Sequence, residues 1–121
     1  MNTLSQDFAR LQWERWGRRY TSETVVRTHT LAEIFRVHKP DDRPIQFLSV
    51  DAEGLDLEVL ESNDWDMYIP KVILCEDTNL QNIEHLSSSG TWTFLHARGY
   101  SLLSKCIHTL VFTHSTYERV D

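Results

Sequence analysis

Two kinds of apolar run alternate along the chain. In Thr3 to Tyr20, Leu4, Phe8, Leu11 and Trp16 fall near helical spacing, with Arg10, Glu14, Arg15, Arg18 and Arg19 between them, which predicts an amphipathic helix packed on the domain. Thr24-Val25-Val26-Arg27 is rich in β-branched residues and predicts a short strand. Thr30 is placed to cap a helix through Leu31 to Phe35, with Glu33 at the capping-box position. His38 to Pro44, with its two prolines and several charges, predicts a surface loop. Ile45 to Val50 is an apolar strand ending at Asp51, and Leu55, Leu57, Val59 and Leu60 predict a helix over Gly54 to Ser62. After Pro70, Lys71 to Cys75 is a second apolar strand, ended by Glu76-Asp77. Residues 78–90 predict a loop with a helical turn, and Thr91 to Arg98 a helix closed by Gly99. Tyr100 to Ser104 and Thr109 to Thr113, joined around Cys106 to His108, predict an antiparallel hairpin, with a loose tail after His114.

Helices alternating with buried strands predict a layered α/β sheet. In such sheets ligands sit beyond the carboxyl ends of the strands. Both central apolar runs end in acids, Asp51 and Glu76-Asp77, so these residues mark the end where a ligand is expected.

The formal charge of -6 is unevenly placed. Residues 1–39 carry seven Lys/Arg against four Asp/Glu, and residues 40–121 carry five against fourteen, so the parts are +3 and -9. Phosphate-backbone binding depends on concentrated cations, so a nucleic-acid partner is not expected. No run approaches the roughly 18 apolar residues of a membrane span, and the opening residues do not resemble a signal peptide, so a cytoplasmic protein is expected. Cys75 and Cys106 lie in separate apolar runs and read as buried free thiols. The six histidines show no ligand spacing, so no metal site is expected.

The stretch Phe47-Leu48-Ser49-Val50-Asp51-Ala52-Glu53-Gly54-Leu55-Asp56-Leu57-Glu58-Val59-Leu60 resembles the signature of the FkbM methyltransferase family, an apolar strand running into Asp-x-Glu-Gly, another acid and Leu. Thr30 to Ile34, Pro70 to Leu74 with Glu76, and Gly99-Tyr100 resemble the flanking segments of that family. Asp56 stands where the family usually has Glu. The resemblance implies an α/β fold with a Rossmann-like class I methyltransferase sheet. It divides the chain into an amphipathic helix at 1–24, the C-terminal part of the methyltransferase domain at 25–113, and a tail at 114–121.

By that resemblance the activity is O-methyl transfer from S-adenosylmethionine to a hydroxyl of a small-molecule, sugar or lipid-like acceptor. Asp51 and Glu53 are the implied catalytic pair, Asp51 taking the hydroxyl proton and Glu53 orienting the acceptor or holding a cation beside Asp51. The alternative for the pair is helix capping. Asp56 and Glu76 are the implied acceptor-binding acids. The glycine-rich turn that approaches the cofactor in a complete domain has no counterpart, because Gly17, Gly54, Gly90 and Gly99 are isolated. The sheet is therefore expected to be incomplete on its N-terminal side, and the chain alone to bind the cofactor weakly or not at all. Two other readings follow from the same residues: a noncatalytic remnant or interaction module, and a metal-dependent transferase using Asp51 and Glu53. The strand ending at Asp51 should then lie at an edge, covered by the Val25 to Arg27 strand, by the opening helix, by a partner or by a second copy in a homo-oligomer.

Overall fold

The computed structural model describes residues 3–17, 22–39 and 41–117. Its elements are α1 (Gln6–Trp16), α2 (Leu31–His38), β1 (Phe47–Ser49), α3 (Asp56–Glu61), β2 (Val72–Glu76), a 3₁₀ turn at Ile83–Ser88, α4 (Gly90–His96), β3 (Tyr100–Cys106), β4 (Thr109–His114) and a 3₁₀ turn at Ser115–Tyr117. Together they form a mixed α/β fold around one open four-stranded sheet of order β1-β2-β4-β3. β1 and β2 are parallel, which demands a crossover, and α3 lies on it. β4 runs antiparallel to both β2 and β3, and with β3 it forms a hairpin.

Register aligns the apolar side chains on one face. Leu48 pairs with Ile73, Ile73 with Phe112, and Cys75 with Leu110. Against that face α3 packs Leu60 and α4 packs Leu95, and with Val50, Leu80 and Tyr100 these residues make one core. The Tyr100 hydroxyl donates to the Pro70 carbonyl at 2.6 Å, tying the hairpin to the start of β2 while satisfying a buried polar group. Trp65 packs edge-on to both Phe94 and Tyr100 and donates from Nε1 to the Leu60 carbonyl.

Several elements follow the pattern in the sequence. Thr30 accepts from the Glu33 amide while the Glu33 carboxylate accepts from the Thr30 amide, a complete capping box at α2. The hairpin is antiparallel as expected. The opening helix is shorter than its pattern, Gln6–Trp16, and Arg18 to Tyr20 lie outside the described residues. None of its residues is buried; Leu4, Leu11 and Trp16 stay exposed, and Phe8 seats against Gly54.

Two expectations need correcting. Thr24 to Arg27 form no strand: the segment is irregular and exposed, since β-propensity without a neighbouring strand leaves its amides to water. Cys106 is exposed, because it sits at the end of β3 beside the Ile107-His108 turn, whereas Cys75 is buried as expected. The residues after Tyr117 lie outside the described ones.

This packing separates α1 from the core energetically. Leu95→Ala should cost about 2–4 kcal/mol in urea unfolding by leaving a cavity under the sheet. Phe8→Ala should lower the helical signal in far-UV circular dichroism with little change in the unfolding midpoint, since the seat over Gly54 lies outside the core cluster.

Candidate functional site

Parallel pairing of β1 with β2 brings the acids of both strand ends to one side of the molecule. Ser49 lies opposite Leu74, so the chain leaves β1 into Asp51 next to where β2 ends at Glu76. The turn that follows β1 is unusual. Glu53 has φ of 50° and Gly54 a φ of 99°, and the Leu55 amide bonds to the Ala52 carbonyl across them, the geometry of a primed turn. A non-glycine residue held at positive φ stores strain that the surroundings must fix. Here Thr3 Oγ1 donates to the Glu53 carbonyl at 2.8 Å, and Phe8 fills the space over Gly54.

The main fixing group is Asp56, the first residue of α3 and 4% exposed. Its Oδ2 accepts from the Ala52 amide at 3.2 Å and its Oδ1 from the Glu76 amide at 2.9 Å. One carboxylate thereby joins the loop after β1 to the end of β2. Burial pushes the Asp56 carboxyl above the ordinary aspartate value, outweighing the backbone amides of Glu76, Ala52 and Asp56 itself that pull it down, and the charge of Asp51 adds to the rise. Neither Asp51 nor Glu53 caps the helix: the N-cap is Leu55, with no side-chain bond.

The remaining acids divide by their partners. Asp77 organises the next loop, accepting from the Asn79 and Leu80 amides on Oδ1 and from the Ser89 hydroxyl on Oδ2 at 2.6 Å. Ser89 in turn accepts from the Trp92 amide and caps α4. Among the described residues, the carboxylates of Asp51, Glu53 and Glu76 accept no hydrogen bond; Asp51 is exposed and the other two are half-buried. Burial raises the Glu76 carboxyl, and the nearby charges of Asp51, Asp56 and Glu53 raise it further. No group of three or more described His, Cys, Asp or Glu side chains is arranged to hold a metal ion.

One neighbour was not legible as a site residue. His108 lies in the turn between β3 and β4, its carbonyl accepting from the Asp77 amide, and its imidazole opposes the rise at Glu76. Its Nδ1 is buried without a hydrogen-bond partner. The sequence offers a hairpin connection there, and only the β2–β4 register places it beside Glu76.

A cleft of about 280 Å³ opens at this end, lined by Gly54, Asp56, Glu76, Asp77, Asn79 and Ser89 among others. A larger one, about 490 Å³, lies at the opposite end of the sheet around Trp65, Arg98, Tyr100 and His114. It contains none of the expected acids, so size alone does not identify the site. Of the expected acids, Asp56 and Glu76 line the smaller cleft, beyond the carboxyl ends of the parallel strands, while Asp51 and Glu53 are not part of its lining.

The raised carboxyls set the pH dependence of stability. A carboxyl whose folded value lies above its unfolded one binds its proton more readily in the folded chain, so its contribution is present at low pH and is lost as pH rises through the folded value. Asp56 and Glu76 both have this sign. The thermal midpoint should therefore rise as pH falls from neutral to about 5, and Asp56→Asn should flatten that slope. Asp56→Ala should cost about 2–3 kcal/mol at neutral pH by leaving two backbone amides unpaired.

Among known proteins, the family described as Methyltransferase FkbM domain matches residues 3–102. No curated protein and no solved structure matches the chain. The matched stretch runs from the opening helix through the acid-lined strand ends into the hairpin. It is most of the chain, which therefore belongs to the FkbM methyltransferase-domain family.

Proposed function

We propose that the chain forms the C-terminal part of a Rossmann-like class I methyltransferase sheet and supplies the acceptor side of an O-methyl transfer site. The observation that carries this reading is the trio Asp51, Glu53 and Glu76. Their carboxylates stand without hydrogen-bond partners, at the carboxyl ends of two parallel strands, in a member of a methyltransferase family. The acceptor is a hydroxyl of a small molecule, sugar or lipid-like compound. Asp51, exposed after β1, accepts the hydroxyl proton; Glu53, set by its turn, orients the acceptor; Glu76, which lines the cleft, binds a second polar group. Asp56, expected from the resemblance to touch the acceptor, acts instead as the group that positions the other three, because both its oxygens are engaged by backbone amides.

S-adenosylmethionine is the methyl donor that the family implies. Its sulfonium charge suits an acid-lined end, but the described residues offer no backbone cradle for its nucleoside and carboxylate. The glycine nearest the acids, Gly54, is closed over by Phe8: a Cβ built on it would meet Phe8 Cδ2 at 2.7 Å. The residues present do not fit the whole cofactor, and the roles given above rest on the acceptor alone. A noncatalytic binding module uses the same acceptor end and differs only in lacking a donor.

Calorimetry of this chain with S-adenosylmethionine should give no saturable heat at micromolar concentrations. Amide NMR with a panel of hydroxylated compounds, monosaccharides and glycerol phosphates included, should shift Asp51 to Leu55 and Glu76 to Thr78, and Asp51→Asn should abolish those shifts. Shifts confined to the Tyr100–His114 end, or none at all, would sink the acceptor reading. Micromolar binding of the donor would overturn the argument from the missing cradle.

A further inference from the structure

β1 is the last strand of the sheet, and its outer side is bare among the described residues. The Val72 amide bonds to the Gln46 carbonyl and the Val50 amide to the Leu74 carbonyl, so even-numbered residues of β1 face β2. By alternation the backbone groups of Phe47, Ser49 and Asp51 point outward, and no described residue pairs with them. Phe47 beside this edge is 55% exposed. An open apolar edge invites another strand.

The same chain carries an unpaired strand-forming segment. Residues 22–28 are irregular and exposed, and no hydrogen bond joins them to any described residue. Within them Thr24-Val25-Val26-Arg27 has the β-branched composition of a strand, with Val25 fully exposed and Val26 at 54%. Its extended length, about 13 Å, suits the short edge from Phe47 to Val50. Exchange of this segment between two copies satisfies both the bare edge and the unpaired segment.

Charge sets the direction. In a parallel arrangement Arg27 comes to the carboxyl end of β1, beside Asp51 and Glu53, and Glu23 lies at the far end. An antiparallel arrangement sets Glu23 against the acids instead. The +3 balance of residues 1–39 against -9 for the rest also favours the approach of one copy's opening segment to the other's acid end.

We infer that the Thr24–Arg27 segment of a second copy adds to the open edge of β1 as a parallel strand and brings its Arg27 to the acids at that strand's end. Reciprocal exchange closes the pair as a dimer. The inference concerns assembly and holds whether or not the acid end performs methyl transfer.

Sedimentation equilibrium from about 1 to 500 µM should show a monomer giving way to a dimer. Val25→Pro and Val26→Pro each remove one amide from the segment, and the one that faces β1 should raise the dimer Kd by about tenfold or more. Because this segment makes no hydrogen bond within the monomer, both variants should keep the parent's circular dichroism and melting at low concentration. Arg27→Glu should weaken the dimer by about tenfold at low salt, with the difference shrinking as salt rises. In hydrogen exchange, the Phe47 and Ser49 amides should gain protection as concentration rises. A monomer throughout the range, or a dimer indifferent to both proline variants, would overturn the proposal.

Discussion

The carboxylate of Asp56 is the contact on which the arrangement of this molecule's acid end depends. β1 and β2 are already held side by side by their parallel ladder, but that ladder stops at Ser49 and Leu74. Beyond it the chain leaves β1 through a turn with two successive positive φ angles, a shape that the local sequence does not favour at Glu53. Asp56 closes the gap by accepting from Ala52 on one strand's exit and Glu76 on the other's. A neutral acceptor has fewer lone pairs to offer, and a longer side chain changes the span between the two amides. A buried acid is thus tolerated at the start of α3, where the helix dipole also favours negative charge.

From this contact the rest of the acid end follows. With Asp56 and Asp77 occupied by backbone amides and a serine hydroxyl, the charge left without hydrogen-bond partners among the described residues at this end belongs to Asp51, Glu53, Glu58 and Glu76. Like charges held close and partly desolvated raise one another's proton affinity, as at Glu76. The β3–β4 hairpin adds an imidazole to this side through His108, whose buried Nδ1 lacks a partner.

Much of this was legible in the residues. The two apolar strands, their acidic ends, the capping box at Thr30–Glu33 and the hairpin all rest on local signals: β-branched runs, cap chemistry and glycine placement. What was not legible depended on partners distant in sequence. Thr24 to Arg27 has strand composition, yet a strand exists only where another pairs with it. Cys106 looks apolar by its neighbours, but it ends the hairpin in water. The role of Asp56 depends on an amide 20 residues away, and that of His108 on the β2–β4 register. Motif resemblance put Asp56 at the site; only the fold shows which way its oxygens turn.

The central claim is that a single buried carboxylate organises the acid end, and amide hydrogen exchange followed by NMR tests it most directly. The Ala52 and Glu76 amides should exchange far more slowly than their loop neighbours Glu53 and Thr78, whose amides have no hydrogen-bond acceptor among the described residues. Their proton shifts should also titrate together with one midpoint, raised above the ordinary aspartate value, because both report the same group. Exchange of the Ala52 amide at the rate of an open loop, or separate midpoints for the two amides, would contradict it.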